Sequence, residues 1–209
     1  MTTPATRDKG KRSREALLDA AIALIAREGL EAVSHRAVAR EADASPALTT
    51  YYFASKTDLL VQAFDHFAAR GEPRISQVWA SAYAVLKRRE EGLSRTRAIT
   101  ELAELAADFI CVEPRPEPDG VAFELAFLYA PRLDAELAAI VRAYRGRILS
   151  PAIRFCEMAG SDDPRTDAEL LIGAILRLEF EQLSVAVRTS RGHVRAQLER
   201  LLSLILRRT

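Results

Sequence analysis

Cysteine is nearly absent. The 209-residue chain has 2, Cys111 and Cys156, and neither belongs to a CxxC pair. That spacing argues against a zinc site or a dithiol redox motif, and a reducing cytoplasm is the simplest setting. Histidine is scarce as well: His35, His66 and His193 are the 3 present, with no metal-ligand spacing among them. Neither a nucleophile elbow nor a glycine-rich phosphate loop appears, so the expected class is not an enzyme, and no cofactor or metal is expected. Long apolar runs are missing too. Asp19 and Arg27 interrupt the first candidate, and Arg177, Glu179 and Glu181 a later one, so no stretch reads as a membrane span. Met1 to Arg14 is polar and charged, without the apolar core of a secretory signal. A soluble, cytoplasmic protein is expected. Finally, no charge sign dominates: the formal net charge is +1. Any affinity for nucleic acid must therefore come from a local basic patch. One exists at the N-terminus, where Arg7, Lys9, Lys11, Arg12 and Arg14 are opposed only by Asp8.

What the chain does contain is helix-forming sequence. It is 49% hydrophobic and 28% charged, the balance of a globular protein, and long enough for one large domain or two small ones. Alanine, leucine, glutamate and arginine dominate, and alternating β-branched and aromatic runs are missing. Leu17, Ala20, Ala21, Leu24 and Ile25 recur at helical spacing and predict a first helix over 13–28. Gly29 ends it, with Leu30 placed to fold back on the helix end. Ser34 is a good N-cap for a second helix, with Val33 and Val38 as a hydrophobic staple, ending near Ala42. Ser45 and Pro46 suit the start of a very short third helix. A fourth begins at Ser55, with Asp58 three residues on as a variant capping box, and stops near Gly71-Glu72-Pro73. That Gly–Pro stretch is the expected domain boundary.

Further helices are expected over 75–91 and 94–112. The alternating prolines of 113–118 exclude helix there. Helix resumes over 119–129, breaks at Pro131 and runs on to about Met158. Asp163 and Pro164 then cap a helix reaching about Arg188, and a last one spans 191–208.

Two short helices joined by a tight turn inside a bundle are the arrangement that places one helix in the DNA major groove. The turn is Asp43-Ala44, and Asp adopts the left-handed conformation more readily than most residues. Val38, Ala39, Ala42 and Leu48 supply the support, with Phe53 closing the unit against the first helix. Ser45, Pro46, Ala47, Thr50 and Tyr51 are polar or small where the third helix faces outward. Tyr52 and Lys56 follow at the start of the next helix. Hydroxyls and amides at helix N-termini suit phosphate oxygens.

Ser34-His35-Arg36-Ala37-Val38-Ala39, then Ala42 and Ser45, then Tyr51-Tyr52-Phe53-Ala54-Ser55-Lys56 with Leu59-Leu60, resemble the N-terminal domain of the TetR family of regulators. The resemblance covers about residues 12–67; beyond it the likeness is one of style, all-helical with two long final helices. It implies that Ser34, His35 and Arg36 start the helix lying across the DNA backbone. It implies that Ser45, Pro46, Ala47, Leu48, Thr50 and Tyr51 belong to the recognition helix, and that Tyr52 and Lys56 contact phosphates. The turn departs from the usual Gly-Val, and Thr49-Thr50 replaces the usual Leu-Tyr, a trait shared by a subset of the family. Base preference therefore does not carry over.

A helix-turn-helix dimer reads two half-sites and needs an interface. Leu171, Ile175 and Leu178 stripe one of the last two helices, and Val194, Leu198, Leu201, Leu202 and Ile205 the other. These residues suit an intrachain core as well as a dimer contact; the resemblance implies a four-helix interface. It also implies an effector pocket among the middle helices, for which Trp79, Tyr83, Phe109, Phe123, Phe127 and Phe180 supply apolar surface. Arg177 and Glu181 are either polar anchors of that ligand or an ordinary i,i+4 pair.

The expected fold is all-α: a flexible basic arm over 1–10, a helix-turn-helix DNA-binding domain over 11–71, and a helical effector-binding and dimerisation domain over 72–209. The expected function is a ligand-responsive repressor that binds a palindromic operator on double-stranded DNA as a homodimer, with a small-molecule effector and no membrane partner. The alternatives are a helical interaction protein that has lost DNA binding, and a transcriptional activator of the same fold.

Overall fold

The computed structural model describes residues 4–112, 119–130, 132–183 and 188–206, with side chains from residue 10 onward. Helices α1 (Pro4–Glu28), α2 (His35–Glu41), α3 (Pro46–Tyr52), α4 (Lys56–Glu90), α5 (Arg95–Ile110), α6 (Gly120–Leu128), α7 (Ala135–Ala159), α8 (Pro164–Glu181) and α9 (Arg191–Ile205) follow in order, with a 3-10 turn over Leu30–Ala32. Among the described residues there is no strand, and no helix is long and apolar enough to cross a membrane. The proline-rich segment 113–118 lies outside the described residues.

The chain forms two compact units, Met1–Gly71 with Glu117–Arg142, and Glu72–Pro116 with Ala143–Thr209. In the first unit α1 packs on α2 and α6, and α2 on α3. Leu17, Ala21, Leu24 and Ile25 are buried, as their spacing requires, together with Val38, Phe53, Leu59, Ala63 and Phe64. Gly29, at a φ of 82°, ends α1, and its N–H donates to the Ile25 carbonyl at 2.8 Å. Phe64, Phe67, Phe123 and Phe127 form an aromatic cluster, with Phe64 to Phe127 at 4.8 Å and Phe67 to Phe123 at 4.9 Å between ring centroids.

The second unit is built on α5 against α9, with α8 packed on both. Leu86, Leu102, Ile110, Phe155, Leu178 and Leu198 lie in its core. Ion pairs line its surface: Arg191 meets Glu104 and Asp108, Arg195 meets Glu104 and Glu199, and Glu101 meets Arg88 and Arg97.

Several boundaries differ from the sequence reading, among them the end of α8 at Glu181 rather than about Arg188. Residues 4–10, expected as a flexible arm, are the first turns of α1. No helix ends at Gly71-Glu72-Pro73, because α4 continues through Pro73 to Glu90. A proline removes one intrahelical donor and crowds one turn, and the long flanking helical sequence absorbs that local cost here. The division between units nevertheless falls at Gly71, and residues 117–142 join the first unit rather than one domain over 72–209.

Candidate nucleic-acid interface

Two caps and one turn set the geometry of α2 and α3. The Ser34 hydroxyl accepts from the Ala37 N–H at 3.2 Å and starts α2. At the other end Ala44 N–H donates to the Ala39 carbonyl at 2.8 Å and Asp43 N–H to the Arg40 carbonyl at 3.3 Å. This is the paired bonding that closes a helix through a left-handed residue, and Asp43 is that residue, at a φ of 49°. Ser45 then starts α3 without spending its hydroxyl on its own helix. Pro46 takes the first position, where the missing N–H costs nothing. At the α4 end, Asp58 N–H donates to Ser55 Oγ at 3.0 Å, while the Asp58 carboxylate accepts from the Ala54 N–H at 2.7 Å. The variant capping box therefore ties the exit of α3 to the entry of α4.

Thr49 locks α3 onto α2. Its side chain is 0% exposed, and its hydroxyl lies 2.7 Å from the Pro46 carbonyl and 3.2 Å from the His35 carbonyl. A threonine thus fills a core position and bridges the two helices by hydrogen bonding. The sequence reading treated Thr49 only as a departure from a leucine. The available signal was its valine-like shape with one polar atom that the backbone can satisfy. Arg27 and Glu41 add a two-pronged contact from α1 to the end of α2, at 3.0 and 2.8 Å. The Arg27 guanidinium holds the Glu41 carboxyl below the usual glutamate range.

On this scaffold Ser45, Pro46, Ala47, Thr50 and Tyr51 are exposed, Tyr51 at 79%. Leu48 is half-buried beneath them. Ser34 and Arg36 are exposed at the start of α2, and Arg36 makes no ion pair among the described residues, since Glu41 is taken by Arg27. Lys56 is 42% exposed and 3.9 Å from Glu31, a separation at which a surface pair contributes little. His35 is half-buried, its Nδ1 enclosed without a hydrogen-bond partner. Tyr52 is the exception to the expected pattern. Its hydroxyl donates to the Gly10 carbonyl at 3.0 Å, so its single hydrogen is already committed within the protein.

Two family profiles fit this architecture. Residues 17–63 match the bacterial regulatory proteins of the tetR family, and residues 97–204 match the tetracyclin repressor-like C-terminal domain. The chain belongs to the TetR family. The chain is similar to the HTH-type transcriptional regulator BetI of Rhizobium meliloti (strain 1021), 26% identical over 182 residues, which is 85% of this chain and 83% of that protein. It is 32% identical over 125 residues to the HTH-type transcriptional repressor KstR of Rhodococcus jostii (strain RHA1), 57% of this chain and 59% of that one. A transcriptional regulator from Saccharomonospora viridis, solved in complex with choline, shares the fold with a TM-score of 0.61 at 20% identity, over 92% of this chain and 96% of that chain. This TetR-family chain is a DNA-binding transcriptional regulator.

The residues expected at a dimer interface divide by burial. Leu171, Leu178, Val194, Leu198, Leu202 and Ile205 lie in the core of the second unit itself, which leaves them almost no side-chain surface for a partner. Ile175 and Leu201 are only partly covered. The surface of α8 and α9 instead exposes Leu170 at 57%, Phe180 at 59% and Leu204 at 64%. Between the two helices runs an open groove of about 500 Å³, lined by Ala174, Arg177, Leu201 and Leu204 among others.

The residues expected to line one effector pocket are divided between the two units. Phe123 and Phe127 are fully buried in the aromatic cluster of the first unit. Phe180 is exposed, and Arg177 and Glu181 are paired with each other on the surface of α8, Arg177 also reaching Gln197 and Glu181 accepting from Thr189. Trp79 and Tyr83 do stay together in the second unit, stacked at 6.1 Å with Phe155 beside them. Arg74 covers the Phe109 ring at 4.2 Å.

Proposed function

We propose that this chain is a ligand-responsive repressor, acting in the cytoplasm, that binds a palindromic operator as a homodimer. The observation that carries the reading is the solvent-facing side of α3, polar or small at every exposed position and braced from beneath by Thr49, Leu48 and the turn at Asp43. In this reading Ser45, Ala47, Thr50 and Tyr51 face base edges, and Ser34, Arg36 and Lys56 face phosphates. Contacts of the second kind position the protein, and contacts of the first kind choose the sequence. The surface groove of α8 and α9, with Ala174, Leu201 and Leu204, receives the second copy. A small molecule binds the second unit near Trp79 and Tyr83; that a regulator of the same fold holds choline supports an effector in this architecture.

The test is a gel-shift and footprint with the DNA flanking its own gene. The expected footprint is a palindrome whose half-sites lie about one helical turn apart, roughly 34–36 Å, with transcription rising when the protein is absent. Failure to shift that DNA, or transcription that falls without the protein, overturns the repressor reading.

A further inference from the structure

The 7 residues of α3 include no amide, carboxylate, guanidinium or ammonium group. Those are the groups that read a base edge most sharply: Arg or Lys on guanine, Asn or Gln on adenine, Asp or Glu on cytosine. Pro46, Ala47, Thr50 and Tyr51 are the exposed residues of α3, and a helical step of about 100° per residue puts all four on one side. Thr50 stands between Pro46 and Ala47 on that side. Its Oγ1 lies 3.1 Å from the Ala47 carbonyl and 3.4 Å from the Pro46 carbonyl, one turn back on the same helix. A hydroxyl has a single hydrogen, so this bond commits the donor to the backbone. The bond also fixes the side chain, because Oγ1 and the methyl carbon branch from the same Cβ. Thr50 therefore brings a methyl group to the exposed side and no free donor. Ala47 brings a second methyl. Tyr51 borders them, its ring T-shaped against the Tyr52 ring at 5.0 Å. The bond of Thr49 to the His35 carbonyl keeps this side of α3 turned outward.

We propose that Ala47 and Thr50 select operator half-sites by packing their methyl groups against the 5-methyl groups of thymine. The 5-methyl is the apolar group that a base pair presents in the major groove, and alanine and threonine methyls are its natural partners. A helix face of methyls and rings, with the Thr50 hydrogen spent internally, is thus complementary to thymine rather than to guanine or cytosine. The operator so recognised carries thymine at the base pairs that lie under Ala47 and Thr50. The inference rests on the DNA-binding reading above and names the bases that this reading concerns.

The experiment selects a binding sequence from a random-sequence duplex pool with the full-length protein. Each thymine of the selected duplex is then replaced in turn by deoxyuridine, which lacks only the 5-methyl group. At one or two thymines in each half-site the replacement lowers affinity roughly fourfold, the effect of one buried methyl. Thr50→Ser keeps the hydroxyl and its backbone bond and deletes the methyl. With that protein one of the sensitive thymines becomes indifferent to deoxyuridine, as a double-mutant cycle requires when the two methyls touch. With Thr50→Val, which keeps a methyl and deletes the hydroxyl, the same thymine stays sensitive. Thermal melting, read by circular dichroism, checks that both variants are folded, and the deoxyuridine series on the wild-type protein depends on neither. A pool that is bound without enrichment of any sequence overturns the proposal, as does a selected duplex in which no thymine is sensitive. So does sensitivity that survives in Thr50→Ser and disappears in Thr50→Val, which assigns it to the hydroxyl. A protein that binds no duplex in the pool overturns the DNA-binding reading itself, which separates the two failures.

Discussion

At Asp43 the chain turns through a left-handed backbone that most side chains resist, at a cost of roughly 1–2 kcal/mol for an ordinary L residue. Asp bears less of that cost, and Gly none. Asp43→Gly is expected to raise stability in urea by up to about 1 kcal/mol, while Asp43→Val lowers it by roughly 1–2 kcal/mol. The denaturation midpoint reads both. Equal midpoints for the two variants would remove the strain argument. Thr49 makes a complementary case, because its shape fits the core and its hydroxyl serves the backbone. Thr49→Val keeps the volume and deletes the bond, so a loss of about 1 kcal/mol is expected. A neutral result would show that packing alone holds α3 on α2. These two positions also mark what was legible from residue types. An aspartate in a short polar turn announces its conformation. A threonine in place of a leucine does not announce whether it faces solvent or bridges two helices, since both environments satisfy its hydroxyl.

Helix starts were the most legible elements. Ser34, Ser55 and Asp163 each form the cap that local chemistry predicts, because a cap depends on residues within four positions of it. The continuity of α4 through Pro73 was not legible, since the penalty is local and the compensation is spread along a 35-residue helix. Nor was the orientation of α8 and α9, which are apolar on more than one face, so periodicity alone leaves open which face meets the core. The structure makes that choice testable. Leu198→Ala removes a buried core side chain and is expected to cost about 2–5 kcal/mol. Leu204→Asp alters an exposed one, and is expected to leave the protomer's helix content intact while shifting sedimentation toward monomer. A Leu204→Asp protein that remains dimeric would move the interface elsewhere. Between α1 and α2 the contact of Arg27 with Glu41 predicts a pH dependence. The folded state holds the Glu41 carboxyl low through its hydrogen bonds to Arg27, so the unfolded chain takes up that proton first. The stabilisation is complete above the ordinary glutamate value of about 4.3 and is lost as the pH falls through the lower folded value. Glu41→Gln should be less stable than wild type at pH 7, and in matched urea titrations the gap should narrow steadily as the pH falls below the ordinary glutamate value. A gap that does not change with pH across the acid range would place the effect outside the carboxylate.

For the whole molecule the central fact is that one helix, α4, begins at the DNA-reading elements and ends in the unit that α5, α8 and α9 build. In the proposed reading, an effector bound near Trp79 and Tyr83, which lie on α4, and an operator bound at α3, which directly precedes it, both bear on this one helix. A ligand shifts such a system only by its differential affinity for the two states, and the coupling between the two sites is reciprocal. If an effector weakens operator binding by a given factor, saturating operator DNA must weaken effector binding by that same factor, typically about 5- to 150-fold. The measurement is a pair of titrations on one preparation: operator affinity with and without the effector, then effector affinity with and without the operator. Equal factors, together with loss of coupling in a Trp79→Ala protein that still binds DNA, place the effector in the second unit and α4 in the path between the sites. Apparent operator affinity that keeps falling without a plateau as effector is raised would mean direct competition at α3 or loss of the dimer. Sedimentation in the presence of effector tells those two apart.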